Sequence, residues 1–264
     1  MRSDGGRHWA SGAVFLATVA FLYLPIAVLI GLSFNASGLP TSWGGFTTGW
    51  YDRLFANDEI LSAFRNTLIV AVCATAISVV IGTLLAFGLE RTVRSRVLDA
   101  GSFVPMVIPD IVLAIALLSF YNLVFTQWMG VRLGLWSVIL GHAVFGIAFV
   151  SAIVRTRLRH FDDSTVEASL DLGATELQTF RHVTLPQIAP GVIAGALVAF
   201  TLSLDEFVIA FFTAGTEVTF PIQVYSMVRF GVTPEINAAA TIVVGFSLVL
   251  MLVAVRLRGQ EDTA

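Results

Sequence analysis

Ser164-Thr-Val-Glu-Ala-Ser-Leu-Asp-Leu-Gly173-Ala-Thr-Glu-Leu-Gln-Thr-Phe-Arg-His-Val-Thr-Leu-Pro186 is the longest polar-bearing break in a chain otherwise made of apolar runs. Its local signals are dense. Ser164 and Glu167 have the spacing of a capping box, which predicts a helix from about Thr165. Gly173 is a natural stop, because glycine adopts the left-handed conformation at no steric cost. Thr175 and Gln178 form a second capping box. The second helix is expected to bury Leu177, Phe180 and Thr184 along one side and to end near Pro186. A loop that merely joined two apolar spans would not need two capped helices and a glycine corner.

Composition sets the surroundings of this loop. The chain has 264 residues, 56% hydrophobic and only 12% charged, with mean hydropathy +0.85. Soluble domains carry about 25% charged residues, so this is a multi-span membrane protein. The single cysteine, Cys73, lies in an apolar run and excludes a disulfide framework. The four histidines have no metal-like spacing. All 15 basic residues are arginine, and a P-loop requires a lysine. The chain therefore carries no standard ATP site of that kind.

Six apolar spans follow from the requirement of about 20 residues to cross the hydrocarbon core. They are expected at about 13–32, 66–89, 104–125, 135–154, 190–212 and 238–255. The first follows Arg2 and Arg7 but is longer than a signal-peptide core, and it reads as a retained span kinked at Pro25. Residues 33–64 and 213–237 read as polar segments. Trp43, Trp50 and Tyr51 suit membrane-interface anchoring or contact with a delivery protein. Gly191 and Gly195, one turn apart, permit close helix packing. Eleven arginines fall on the side of the termini and four (Arg53, Arg65, Arg132, Arg229) on the other. The positive-inside rule then makes both termini and the 155–190 loop cytoplasmic, the side where ATP is hydrolysed.

Glu167-Ala168-Ser169, then Gly173, Val183 and Leu185-Pro186 at fixed spacing resemble the EAA loop of bacterial ABC-importer permeases. Ser169 stands in place of the second alanine and Val183 in place of isoleucine. The resemblance implies an all-α membrane protein with a type I importer-permease fold, residues 1–264 forming one transmembrane domain and 164–186 a cytoplasmic coupling loop within it. It assigns the ATPase contact to Glu167, Ala168, Leu170, Asp171, Gly173, Ala174, Phe180, Leu185 and Pro186. The implied partners are an ABC ATPase dimer, a second homologous permease and an extracytoplasmic substrate-binding protein. The chain itself would sit in the bilayer of a bacterial inner membrane, with no nucleic-acid partner and no cofactor of its own, ATP being held by the partner subunit.

Asp205-Glu206 lies inside the expected fifth span, about 22 Å along a helix begun at Pro190. A carboxylate there is costly unless it faces a cavity or a partner. Thr201 and Ser203 share faces with these acids, and Phe207 lies next in the chain. Two readings stand. The acids, with Thr201, Ser203 and Phe207, line a path for a cationic solute, with aromatic faces attracting ammonium groups; or the acids pair with an arginine or cap broken backbone while the phenylalanines are lipid-facing bulk. His142 reads as a hydrogen-bonded packing residue and Asp110 as a helix start. Tyr121 and Asn122 suit either a pathway or an interface. The segments 200–215 and 221–241, with Asn66-Thr67-Leu68 and the stretch near 107, are similar to the polyamine (spermidine/putrescine) branch of the family. Related permeases carry other solutes, such as ferric iron or phosphonate. A secondary transporter should show an internal repeat and several intramembrane ionisable groups, whereas one acidic pair and no repeat are present. A membrane enzyme would need a catalytic constellation, and none is evident.

Overall fold

The computed structural model describes the backbone of residues 5–39, 41–93, 95–230 and 234–259, and side chains from Trp9 to Val249 within those stretches apart from Ala10 and Phe230. Among the described residues the regular structure is helical. In chain order the helices are α1 (Gly5–Leu32), α2 (Gly49–Ala56), α3 (Asp58–Phe87), α4 (Arg96–Val107), α5 (Asp110–Tyr121), α6 (Leu135–Arg159), α7 (Ser164–Asp171), α8 (Glu176–Thr179), α9 (Leu185–Asp205), α10 (Val208–Thr213), α11 (Phe220–Phe230) and α12 (Pro234–Gly259). Three π turns continue helices without a break: Gly88–Thr92 after α3, Asn122–Trp128 after α5, and Phe180–Thr184 between α8 and α9.

Among the described residues five helices are long and apolar enough to cross a membrane: Ser11–Leu32, Asp58–Thr92, Asp110–Trp128, Leu135–Arg159 and Glu176–Asp205. A shorter apolar stretch, Pro234–Val249, lies in α12. The rest of the expected sixth span, and Arg2, Arg7, Arg94, Arg256 and Arg258 of the arginine tally, lie outside the described side chains.

Several expected boundaries are corrected. The second long helix starts at Asp58, not Asn66, because Asn57 accepts from the backbone N–H groups of Glu59 and Ile60 through its Oδ1 and acts as an N-cap. The third starts at Asp110, not 104. Pro109 disfavours a helical conformation at Ile108, which is extended (φ −68°, ψ 134°) and separates α4 from α5. The fifth is Glu176–Asp205 rather than 190–212. Pro186 does not end the helix before it. The π turn Phe180–Thr184 widens the ladder, Leu185 N–H bonds Phe180 O five residues back, and Pro186 sits in the first turn of α9, where a missing donor costs little. Residues 33–64 and 213–237 are not merely polar connections, since they hold α2 and α11.

The chain packs as two units. Unit 1 comprises residues 1–61 and 224–264. In it α12 packs against α1 and α2. Asn35 is 2% exposed and organises the turn that follows α1. Its Oδ1 accepts from Ser37 and Gly44 N–H at 3.1 and 2.8 Å, and its Nδ2 donates to Ser42 O at 2.7 Å. Trp50 Nε1 donates to Asn35 O at 2.7 Å, and Tyr51 Oη is 2.8 Å from Ser33 Oγ. Trp50 and Tyr51 are thus fastened inward to protein. Trp43 is exposed.

Unit 2, residues 62–223, holds the functional elements around α6. Its α6–α9 contact is made close by glycine. A Cβ on Gly195 would lie 3.3 Å from the Val150 backbone, and one on Gly191 would lie 2.6 Å from Arg157 Cγ. Gly146 is pressed against Ser78 of α3 in the same way. The resulting core is Ala86, Val150, Val154, Leu158, Ile188 and Ala199. Such close backbone approach by small residues is how helices pack where no hydrophobic drive exists between them. Asn66 and Thr67 do not open a span. They lie within α3 and hold the 217–220 segment: Asn66 Nδ2 donates to Val218 O at 3.0 Å, and Phe220 N–H donates to Thr67 Oγ1 at 2.7 Å.

Candidate coupling loop and transport pathway

The loop folds as two helices with a glycine corner. The first differs from expectation at its start. Asp163, not Ser164, is the cap position, and no side chain closes a box there. Asp162 does the work instead, its Oδ1 accepting from Ser164 N–H at 3.0 Å. Bonding to Ser164 holds the Asp162 carboxyl below its ordinary range. Glu167 is consequently not used as a cap, and it is exposed. The corner is a Schellman turn. Gly173 has φ +87°, its N–H donates to Leu170 O at 2.9 Å, and Ala174 N–H donates to Ser169 O at 3.2 Å. The second capping box forms as expected. Thr175 N–H donates to Gln178 Oε1 at 2.8 Å, and Gln178 N–H donates to Thr175 Oγ1 at 3.4 Å. Ser169 Oγ is 3.0 Å from Thr179 Oγ1, bracing α7 against α8. Gln187 Nε2 donates to Thr165 Oγ1 at 3.3 Å, tying the start of α9 back to α7.

The expected apolar face of the second helix is wrong in two of three residues. Thr184 is buried, as is Thr179, but Leu177 is 75% exposed and Phe180 is also exposed. Four-residue α8 is too short to bury a continuous stripe. Leu172 is 89% exposed, and Leu170, Leu185 and Pro186 are exposed as well. The loop therefore presents leucines to its surroundings. Asp171 is exposed at the last residue of α7, where the helix dipole opposes a negative charge. Ala168 is exposed and Ala174 half-buried.

The acidic pair lies at a break. Helix α9 ends at Asp205, Glu206 is extended (ψ 106°), and α10 restarts at Val208. Glu206 Oε1 accepts from Ile209 N–H at 3.0 Å and so caps α10. Asp205 is exposed. Asp110, first residue of α5, lies within electrostatic reach of Glu206. Helix α10 packs against α5 and α6, and Ser137 Oγ donates to Thr213 O at 2.8 Å. Ser203 is buried, with Oγ 2.7 Å from His142 Nδ1. Thr201 is exposed and donates to Leu197 O of its own helix at 2.7 Å. The Phe207 ring packs 5.3 Å from that of Phe211. Tyr121 is buried among Phe120, Phe125 and Trp136.

The helix start at Asp110, and capping of broken backbone by one of the acids, both follow sequence readings. Sequence reasoning missed an ionic cluster at the base of unit 2. Arg155, tallied as a loop charge, is buried in α6. It donates through Nε to Glu90 Oε1 at 2.7 Å and through Nη2 to Asp99 Oδ1 at 2.8 Å. Its partners lie 56 and 65 residues away, so no local pattern announces them.

Long apolar helices, broken beside carboxylates and joined by a structured loop with exposed leucines, suit a membrane-transport subunit. Comparison with known proteins makes this specific. Residues 78–260 match the family described as binding-protein-dependent transport system inner membrane component. The chain is 41% identical over 255 residues to the Escherichia coli K12 spermidine/putrescine transport system permease protein PotC, covering 96% of this chain and 94% of that one. It is also 41% identical over 238 residues to the putrescine transport system permease protein PotI of the same organism, covering 88% and 84%. Among solved structures, a bacterial ABC transporter that imports the acidic polysaccharide alginate matches with TM-score 0.69 at 18% identity over 98% of both chains. The MetNI methionine ABC transporter matches with TM-score 0.60 at 19% identity over 80% of this chain and 97% of that one. The chain belongs to the family of binding-protein-dependent transport inner-membrane components. It is thus a multi-pass inner-membrane permease subunit of an ABC importer, whose ATPase site belongs to another subunit and which works with a binding protein.

Proposed function

We propose that this permease imports a polyamine, spermidine or putrescine, through six spans with both termini cytoplasmic. It pairs with a second, homologous permease and with an ATPase dimer. The observation that carries the substrate reading is the carboxylate group at the helix breaks, Asp205, Glu206 and Asp110, in a chain whose two named relatives are both polyamine permeases. Polyamines carry two or more ammonium groups, and several carboxylates at broken helices in a low-dielectric region suit them. Glu206 has a double role: one oxygen caps α10, and its charge faces the path beside Asp205. Phe207 supplies an aromatic face, while Thr201 and Ser203 set the polarity of the α9 end.

The exposed leucines and Glu167 of the 164–186 loop dock on the ATPase. ATP closes the ATPase dimer and displaces the docked loop, and the spans reopen to the other side. The loop drives this only if it binds differently in the two states. The Schellman corner keeps α7 and α8 at a fixed angle, so a push on either moves both. Purification of the chain with its partner subunits, followed by uptake of labelled spermidine and of ferric and phosphonate solutes, tests the reading. Selective polyamine uptake supports it, and uptake of another solute alone refutes it.

A further inference from the structure

Arg155 is 4% exposed and serves neither the loop surface nor the pathway directly. Its guanidinium joins three elements. Nε donates to Glu90 on the π turn that ends α3, and Nη2 donates to Asp99 in the first turn of α4. One turn along α6, Arg159 Nε donates to the same Glu90 oxygen at 3.1 Å. The Arg155 cation also lies 5.7 Å from the ring centroid of Phe103, one turn along α4 from Asp99. Two acids balance two arginines, so the cluster carries no net charge.

The same π turn faces the coupling loop. Arg91, next to Glu90, pairs with Asp163 at 2.6 Å, immediately before α7, and its guanidinium lies 4.9 Å from the Phe161 ring centroid. Phe87, just before the turn, meets Phe180 of the loop edge-on at 5.8 Å. One five-residue turn is therefore gripped by both ends of the loop and by α6, and Arg155 extends the grip to α4. Beyond the Ile108–Pro109 break α4 leads into α5, whose first residue, Asp110, lies in electrostatic reach of Glu206.

We propose that Arg155, with Glu90 and Asp99, is a positioning hub that transmits displacement of the coupling loop to α4 and α5, and so to the carboxylates of the pathway. This rests on the function proposed above. Arg155 touches no solute in this scheme. Arginine suits the task because its planar fork holds two carboxylates at a fixed angle, which a lysine point charge does not. A π turn suits it too, since single π turns recur at functional sites. Arg155 Nη1 is buried without a protein partner among the described residues. Transmission requires a contiguous element with two arrangements that both sites bias, and the turn, the hub and α4 supply the contiguous contacts.

The test uses the complete complex, with its ATPase, second permease and binding protein, in proteoliposomes. Polyamine uptake and ATP hydrolysis are measured per assembled complex for wild type, Arg155→Lys, Arg155→Gln and Asp99→Asn. Uptake per ATP should fall about two- to thirty-fold in Arg155→Gln and fall less in Arg155→Lys. An unchanged ratio in Arg155→Gln overturns the proposal. So does an equal fall in uptake and hydrolysis, which marks a purely structural residue. Where Arg155→Gln fails to assemble, Asp99→Asn removes the charge of the α4 arm alone, and an unchanged ratio there overturns the proposal. ATP hydrolysis by wild type without polyamine uptake refutes the substrate reading instead. The stimulation of hydrolysis by the binding protein, lost in Arg155→Gln if the hub transmits and kept if it does not, then decides the hub.

Discussion

Replacing Gly173 tests whether the corner between α7 and α8 carries the coupling. Gly173 sits at φ +87°, and a Cβ built on it meets nothing within 4 Å. Alanine there adds no clash, only the backbone strain of a left-handed L-residue, about 1–2 kcal/mol. That strain lowers the population of the native corner by about 5–30-fold relative to unwound alternatives. Proline does more. It fixes φ near −65° and removes the N–H that donates to Leu170 O, so the corner cannot form. Polyamine uptake by cells, normalised to the amount of subunit inserted in the membrane, should fall in Gly173→Ala and be abolished in Gly173→Pro. Gly130 is the control. It has φ +67° and equally open surroundings, but lies in the turn before α6, away from the loop in sequence. Gly130→Ala should insert and transport close to wild type. Uptake at wild-type rate in Gly173→Pro, or an equal loss in Gly130→Ala, refutes the reasoning.

Glu206→Gln keeps a carbonyl to cap α10 while removing the charge, so transport should fall with little loss of stability, whereas Glu206→Ala also loses the cap, at about 1 kcal/mol; uptake and thermal unfolding in detergent separate the two, and unchanged transport in Asp205→Asn with Glu206→Gln favours a purely structural role. Gly146→Ala drives a methyl into Ser78 and should cost about 1–3 kcal/mol of stability, read as a lowered unfolding temperature; an unshifted temperature contradicts the close α3–α6 approach. Asp162 has a lowered pKa in the folded state, so its contribution is complete above the unfolded carboxyl value of about 4 and is lost only as pH falls through the lower folded value. Asp162→Ala should therefore speed amide exchange at the start of α7 by a factor that stays constant from about pH 6 to 8, and a factor that changes across that range contradicts the assignment.

Local chemistry was legible in the sequence, and long-range chemistry was not. Gly173 and the Thr175–Gln178 box were readable because each is settled within four residues. So was the start of α5 at Asp110. The Ser164–Glu167 box failed because Asp162, two residues upstream, takes the Ser164 N–H with its carboxylate, while Glu167 N–H donates to Asp163 O. Span limits slipped where a neighbour or a widened turn carried helix past its expected end: Asn57 capped α3 early, and the π turn at 180–184 took the helix through Pro186. The break after Asp205 was legible only as one of two readings of the acid pair, since apolar residues flank it on both sides. Arg155 looked like a loop charge because its helix runs one turn further than hydropathy indicates and its acids lie on two other elements. The expected roles of Ser203 and Trp50 also turned on partners remote in sequence, His142 and Asn35.

The central claim is that this subunit moves a polyamine only when a separate ATPase, docked on residues 164–186, hydrolyses ATP. Uptake of labelled spermidine and putrescine into proteoliposomes holding the complete complex and binding protein measures it directly, with ATP supplied or withheld on the ATPase side. The account predicts accumulation with ATP, none with a non-hydrolysable analogue, and none when the complex carries Gly173→Pro. Accumulation that is equal with and without ATP, or ATP hydrolysis stimulated by the binding protein with no polyamine moved, would contradict it.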